Sequence, residues 1–228
     1  MDPALTSLLA ASIAFVGGHF VMSHPLRQPM VRIFGEKGFL GIYSLVSLAT
    51  FAWMIIAFRD APRRGMPAWS GQDDASWAIA SMLTIIALVL FLRALRGNPA
   101  LPATPAGRVA ASDPRGVFLV TRHPMMWGFA LWAIAHLLIA PTDRTLILAG
   151  AILILALVGA HLQDIKKEAL QGQAWRSWSM RTSYWPQWRQ LYRAGGTLWL
   201  VAIALWLAIT WAHIWFGYVA AGIWRWIG

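Results

Sequence analysis

The chain of 228 residues lacks cysteine altogether and is poor in charge, above all in acidic charge. Without cysteine it has no disulfide, no thiolate ligand for a metal and no thiol for palmitoylation. Charged residues make up 12% of the chain, about half of their share in soluble domains. The net charge of +10 does not indicate a nucleic-acid partner, because the basic residues lie between hydrophobic segments, where membrane orientation accounts for them.

Hydrophobic residues take the place of the missing charge and make up 58% of the chain. A membrane-spanning helix needs about 20 mostly apolar residues. Six segments meet or approach this length: Pro3–Met22, Phe39–Phe58, Trp77–Leu95, Met126–Ala140, Thr145–Leu162 and Thr197–Tyr218. They predict an all-α, polytopic membrane helix bundle that forms a single domain over residues 1–228. The fourth and fifth segments are short, so a bundle of five spans remains an alternative.

Basic residues predict the orientation of this bundle. The polar segments after the first, third and fifth spans carry 14 Lys and Arg, whereas the opposite side carries 5, which include Arg63 and Arg64. The side richer in basic residues faces the cytoplasm. We therefore expect a multi-pass membrane protein with both termini facing the periplasm or its equivalent.

Two polar segments on the cytoplasmic side are longer than simple connections. Residues 96–122 contain four prolines among small residues, which predicts an extended segment without its own core. Residues 164–192 mix charge with four tryptophans, which predicts an amphipathic stretch on the membrane surface. Neither segment is expected to form a second folded domain.

The histidines are the main candidates for function. Four lie within or at the ends of predicted spans and two lie in the flanking polar segments: His19, His136, His161 and His213, then His24 and His123. An imidazole in hydrocarbon needs a polar partner, so such a residue is a functional candidate by default. His161 lies three residues before Asp164, where that carboxylate would be one helical turn away. His24 and His213 fit simple interfacial anchors as well as ligands.

Haem fits this set of histidines chemically. With no cysteine in the chain, histidine must supply the ligands of any bound metal or haem. Neutral imidazole is a good iron ligand, and a porphyrin fits between the helices of a bundle. A catalytic zinc is less attractive, because it usually needs three protein ligands at close quarters.

One local pattern is more specific than composition. Thr121-Arg122-His123-Pro124-Met125-Met126-Trp127-Gly128 opens the fourth predicted span. This motif resembles the NnrU family of bacterial membrane proteins, and the resemblance implies a multi-pass protein of the bacterial inner membrane. Six further segments resemble the family and occur in the order that the family has: residues 23–27, 32–36, 43–48, 135–136, 159–161 and 181–183.

The resemblance implies a role in denitrification, because founding members of the family are associated with the production of active nitrite and nitric oxide reductases. The family is also similar to plant 15-cis-zeta-carotene isomerase, a membrane protein that holds haem b between histidines and isomerises a carotenoid. By this similarity His19 and His136 are expected to be the axial ligands of haem b, although a His19–His161 pair remains a competitor. His123, His161 and Arg122 are the expected catalytic residues at the cytoplasmic mouth of the same cavity.

Further expectations follow from the same resemblance. Arg27 and Arg32 are expected to hold haem propionates or lipid phosphates, because guanidinium pairs bidentately with such anions. The expected partners are membrane lipid, an apolar carotenoid-like substrate and the denitrification reductases. The chain departs from the isomerase at Ala133, where that relative has a cysteine, so a ligand switch through cysteine is excluded.

A second, more distant resemblance implies a different function. The Arg-His-Pro-x-x-x-Gly pattern is similar to that of isoprenylcysteine methyltransferases and related membrane methyltransferases, which bind S-adenosylmethionine at the cytoplasmic face. Lys166-Lys167-Glu168 and Trp175–Trp185 lie at the corresponding distance. However, Met125-Met126 lacks the aromatic residue that is typical of those enzymes. A non-enzymatic membrane factor for reductase assembly is a third alternative.

Overall fold

The computed structural model describes residues 2–62, 67–101 and 104–227 of the chain. Within these ranges the structure is helical, with two short 3₁₀ helices and no strand. The prediction of an all-α fold is confirmed. Arg63 and Arg64, which entered the prediction of orientation, lie outside the described residues.

The helices follow the predicted order but differ from the predicted spans in length. In the described ranges they are α1 (Pro3–Ser23), α2 (Arg27–Asp60), α3 (Asp74–Ala94), α4 (Ala106–Ala110), α5 (Pro124–Ile139), α6 (Asp143–Gln171), α7 (Gln173–Met180), α8 (Gly196–Trp215) and α9 (Trp224–Ile227). The 3₁₀ helices are Gly116–Leu119 and Trp188–Ala194. Helix α2 begins 12 residues before its predicted apolar segment, and α6 ends nine residues after its own.

Five of the described helices are long and apolar enough to cross a membrane: α1, α2, α3, α6 and α8. Helix α5 is apolar but has only 16 residues, fewer than the roughly 20 that a spanning helix needs. The helices therefore indicate a membrane protein. The choice between five and six spans, the sides of the termini and the identity of the membrane stay predictions.

The chain falls into two compact units. The first combines Met1–Gly71 with His136–Leu155, and the second combines Gln72–Ala135 with Ala156–Gly228. In the first unit, α1 packs against α2, and the Trp53 indole of α2 donates to the Ser7 hydroxyl of α1 at 3.1 Å. The prediction of a single domain stays a prediction.

Helix α2 of the first unit is interrupted near its start. Gly35 has a φ of 70°, in the left-handed region that glycine adopts without a steric penalty. Across this interruption, Arg27 Nη2 donates to both carboxylate oxygens of Glu36, at 2.8 and 3.1 Å. The guanidinium also lies 5.5 Å from the ring centre of Phe39. These contacts hold the polar start of α2 against its apolar remainder.

The polar segments of the second unit form a small core of their own. Five residues of these segments are buried together: Ala100, Val109, Phe118, Trp175 and Trp178. Residues 96–122 contribute three of these five residues, so the segment packs into a shared core although it has no core of its own. The physical reason is that the later tryptophans supply the apolar surface that the small residues and prolines cannot provide alone.

The segment 164–192 also differs from its prediction. The sequence predicts that the whole stretch lies on the membrane surface, but Trp175 and Trp178 are buried in the small core. Trp185 and Trp188 are exposed. An amphipathic surface therefore fits the later pair of tryptophans and not the earlier pair.

Candidate functional site

A buried polar cluster lies in the second unit, where Asp164 of α6 binds two consecutive residues at the start of α5. Arg122 donates from Nε and Nη2 to Oδ2 of Asp164, at 2.8 and 2.6 Å. His123 Nε2 lies 2.7 Å from Oδ1 of the same carboxylate. Each carboxylate oxygen thus has its own partner, and each partner is about 40 residues away in sequence.

These three side chains are shielded from solvent. The side chain of His123 is 1% exposed, and those of Arg122 and Asp164 are each 15% exposed. Charges buried to this degree need a partner, because taking an ion out of water costs several kcal/mol. Since a carboxylate only accepts hydrogen bonds, Nε2 of His123 carries a proton, and Nδ1 is the basic nitrogen of the neutral ring.

The chain that follows α7 closes over this cluster. The backbone N–H of Arg122 donates to the carbonyl of Ser183 at 2.8 Å. The carbonyl of Tyr184 accepts from Thr121 Oγ1 at 2.8 Å and from Trp127 Nε1 at 3.0 Å. Backbone and side-chain hydrogen bonds therefore join this returning segment to the start of α5.

Tyr184 contacts both of the residues just before α5 that bind the carboxylate. Its ring centre lies 5.8 Å from that of His123 and 5.7 Å from Cζ of Arg122. Its hydroxyl donates to the Leu157 carbonyl of α6 at 2.6 Å. Burial raises the pKa of the Tyr184 phenol, and repulsion from the Asp164 carboxylate adds to the rise. The phenol therefore stays protonated and remains a donor at neutral pH.

A second buried cation lies one turn beyond Asp164 on α6. The Lys167 residue is 2% exposed, and its Nζ donates to the Thr104 carbonyl at 3.2 Å. Nζ also lies 5.9 Å from the ring centre of Trp175. The Trp175 and His123 ring centres are 6.4 Å apart. Trp175 therefore lies between Lys167 and the carboxylate-bound histidine.

His19 is the best-defined predicted ligand in the first unit. Its Nδ1 lies 2.7 Å from the Phe15 carbonyl oxygen, one turn earlier in α1. Because a carbonyl oxygen only accepts, Nδ1 carries the proton and Nε2 has the lone pair. The half-buried imidazole contacts the rings of Phe15 and Tyr43, with 4.5 and 5.4 Å between ring centres.

The other predicted histidines are distributed over both units. His136 is half-buried in the last turn of α5 and belongs to the same unit as His19. His161 is exposed on α6. The expected pairing of His161 with Asp164 is not found in the described part of the chain, because that carboxylate binds the start of α5.

The two arginines expected to hold an anion differ in their availability. Both carboxylate oxygens of Glu36 accept from Arg27, so this guanidinium is already engaged. Arg32 is exposed on the same polar start of α2. Arg32 is therefore the better placed of the two to bind a propionate or a lipid phosphate.

The donor chemistry of the first unit fits the haem expected from the sequence. A metal-bound histidine typically donates its other ring N–H to a carbonyl or carboxylate, which fixes the tautomer and directs the lone pair to the metal. His19 meets this condition, and His136 supplies a second half-buried imidazole in the same unit. Among the described residues, no group of three or more His, Asp or Glu is placed to hold a metal ion.

The sequence analysis does not identify Asp164 and Tyr184 as partners of Arg122 and His123. The available signal is the scarcity of acid: Asp164 is one of nine acidic residues, two positions after a predicted span. A carboxylate at the end of an apolar helix needs a cation or several donors. However, nothing local indicates which of the many basic residues on that side provides it.

Comparison with known proteins agrees with the motif at the start of α5. The family model described as NnrU protein matches residues 7–221. No curated protein and no solved structure matches the chain. The matched range includes the polar residues of both units, from His19 to Tyr184.

Proposed function

The chain belongs to the NnrU family, and from this premise we propose that it is an inner-membrane protein that binds b-type haem through His19 and His136. Its role in the cell would be either support of nitrite and nitric oxide reductase activity or carotene-isomerase-like chemistry on an apolar substrate. The bound haem would supply the redox chemistry, while the protein holds the iron and shields the substrate from water.

The single observation that carries this proposal is the half-buried setting of His19 between two aromatic rings, with its tautomer fixed. Its Nδ1–H is fixed by the Phe15 carbonyl, so Nε2 has the lone pair that iron requires. The aromatic rings of Phe15 and Tyr43 flank the imidazole. Flat apolar side chains around a half-buried histidine are suitable neighbours for a porphyrin.

In this proposal the polar cluster of the second unit transfers protons through His123, and Arg122 has a positioning role. Asp164 neutralises Arg122 and orients His123, so Nδ1 of that histidine is the group that accepts or returns a proton. Arg122 is a positioning residue because its guanidinium already binds the carboxylate. His161 is exposed and is therefore open to a substrate or a protein partner.

A specific observation also supports a second function, that of a membrane methyltransferase. The two segments expected to bind S-adenosylmethionine contribute Lys167 and Trp175 in one unit, where Lys167 lies beside the Trp175 ring and that ring lies near His123. A buried cation and an aromatic ring suit a cofactor that carries a carboxylate and a sulfonium. If neither haem nor this cofactor binds, a non-enzymatic assembly factor is the remaining proposal.

The first experiment is an absorption spectrum of the detergent-purified full chain, oxidised and after dithionite reduction. A Soret band with sharp reduced α and β bands, lost in His19→Ala and in His136→Ala, is the expected result. His213→Ala is the matched control, because His213 Nδ1 makes the same bond to a carbonyl four residues earlier, at 2.8 Å to Ile209. This variant is expected to keep its spectrum.

The alternative outcomes separate the proposals. Loss of the bands in His19→Ala and His161→Ala, but not in His136→Ala, would assign the competing ligand pair. A folded, colourless protein that also fails to bind added haemin would overturn the haem proposal. That colourless protein could instead bind S-adenosylmethionine. Binding that is weakened in His123→Ala and unchanged in His213→Ala would favour the methyltransferase function.

A further inference from the structure

An open cleft of about 240 Å³ lies in the second unit, at the end of α3. Its walls include Arg93 of α3, Arg115 before the first 3₁₀ helix, and Trp178 of α7. The cleft is distinct from the His123 cluster, whose side chains do not line it. Neither the haem proposal nor the methyltransferase proposal gives it a role.

The charge in this cleft is mainly positive. Asp113 is the acidic residue of the wall, and its Oδ1 accepts from Arg181 at 3.0 Å. Its Oδ2 lies 4.0 Å from Nη2 of Arg115, which is a long contact, and the Arg115 side chain is 81% exposed. The Asp113 carboxylate therefore pairs chiefly with Arg181 and only at long distance with Arg115, so this one acidic group faces more positive charge than it can balance.

Arg93 is held in place before any ligand arrives. Its Nη1 donates to the Arg96 carbonyl at 2.6 Å, and its Cζ lies 5.4 Å from the ring centre of Phe118. A guanidinium stacked on a buried ring loses little freedom when it binds an anion. The second arginine of the wall, Arg115, has a side chain that is 81% exposed and therefore accessible to a ligand from solvent.

Trp178 adds a donor to the same wall. The residue is 1% exposed, and its indole Nε1 is buried without a hydrogen-bond acceptor among the described residues. A buried donor left without an acceptor is costly. Because Nε1 is buried, an anionic oxygen in the cleft reaches this donor only where the side chains of the wall move apart.

We propose that this cleft binds a phosphate group, with Arg93 and Arg115 as its charged partners. Guanidinium groups recognise phosphate oxygens through paired N–H donors. Both the headgroup of an acidic lipid and a free phosphate ester have this chemistry.

The test is calorimetric titration of the detergent-purified full chain with dioctanoyl phosphatidic acid, glycerol 3-phosphate and inorganic phosphate. Dioctanoylglycerol serves as the probe without phosphate. Arg115→Gln and Arg93→Gln are each expected to weaken binding about tenfold, the usual effect of losing a hydrogen bond between charged groups. Arg108→Gln removes an exposed charge of α4 outside the cleft and is expected to change affinity less than about twofold.

Each result decides the proposal. Binding of phosphatidic acid alone identifies a lipid headgroup site, and binding of the soluble phosphates as well identifies a site for phosphate itself. Absence of binding by every phosphate probe overturns the proposal, as does an equal loss in Arg108→Gln and Arg115→Gln. Arg93 also packs on Phe118, so a misfolded Arg93→Gln leaves the decision to the exposed Arg115.

Discussion

His19 and His123 both lie at the edges of predicted spans, but the two units hold them by different means. His19 binds a carbonyl of its own helix, four residues earlier, whereas His123 binds a carboxylate 41 residues away. His24 and His213 make the same local bond as His19, at 3.3 and 2.8 Å. The local bond therefore belongs to helix geometry, while the distant bond exists only when the second unit is folded.

The difference shows what distinguishes a candidate ligand from a candidate catalytic group. For His19 the hydrogen bond is common, and its aromatic neighbours and partial burial are what set it apart. For His123 the partner itself is the unusual feature, because three separated segments of chain must meet around it. The following four predictions test this contrast through stability, in order of expected effect.

Asp164→Asn removes the partner on which the distant arrangement depends. The variant leaves Arg122 buried without its counter-charge, so we expect a loss of about 3 kcal/mol or more in folding stability. Thermal unfolding of the detergent-purified protein, followed by helical circular dichroism, measures the change. Asp113→Asn, which breaks an exposed ion pair, is the matched control and is expected to cost less than about 1 kcal/mol. Equal losses in both variants would contradict a buried cluster.

His123→Ala tests the same cluster from the other side. It removes a fully buried side chain and leaves Oδ1 of Asp164 without its donor, for which we expect a loss of about 2 kcal/mol. The same unfolding measurement applies. If the double variant with Asp164→Asn is as unstable as the sum of the two single variants, the side chains are not coupled as the structure indicates.

Gly128→Ala tests whether α5 packs closely against α3 at the last residue of the motif. A Cβ at Gly128 would lie 2.9 Å from the Ala87 carbonyl oxygen and 3.3 Å from Cβ of Phe91. Overpacking costs about 1–3 kcal/mol, which outweighs the gain of up to about 1 kcal/mol in helix propensity. We expect a net loss near 1 kcal/mol in thermal unfolding.

Gly150→Ala is the control for that substitution. No atom lies within 4 Å of a Cβ at Gly150 of α6, so helix propensity alone acts and the variant is expected to be slightly more stable. The substitutions at Gly128 and Gly150 are thus expected to change folding stability in opposite directions. A stabilised Gly128→Ala would show that α5 and α3 are not in close contact at that point.

His19→Ala is expected to have the smallest effect on the haem-free protein. Its hydrogen bond is local and its ring is only half-buried, so we expect a loss below about 1 kcal/mol, close to that of His213→Ala. Unfolding curves of the haem-free variants measure both. A loss as large as that of His123→Ala would mean that His19 has a structural role, and the contrast between the two histidines would fail.

Much of the fold was predictable because hydrophobic length is a local signal. The apolar segments mark the long helices, although polar extensions escape the prediction. Helix α2 begins at Arg27 and is interrupted at Gly35, and no apolar run indicates this polar start. The small core around Trp178 is also missed, since prolines and alanines show no periodicity that points to distant tryptophans.

The site was predictable only in part, for a related reason. Arg122 and His123 stand in a recognisable motif, but their carboxylate lies 41 or 42 positions away. The sequence placed Asp164 beside His161, which follows from helical spacing and ignores tertiary contacts. Tyr184 escapes prediction because its backbone carbonyl, which any residue provides, makes two of the key contacts.

The closure of residues 183–184 over the start of α5 has a consequence for synthesis. Chains grow at roughly 5–20 residues per second, so the roughly 60 residues between Arg122 and its backbone partner take roughly 3–12 s to translate. During this interval the arginine and histidine have been added to the chain before their carboxylate and their covering segment exist. The cluster is therefore a late event in biogenesis, and a chain that stalls before Asp164 holds two unpartnered basic groups for the insertion and quality-control machinery to handle.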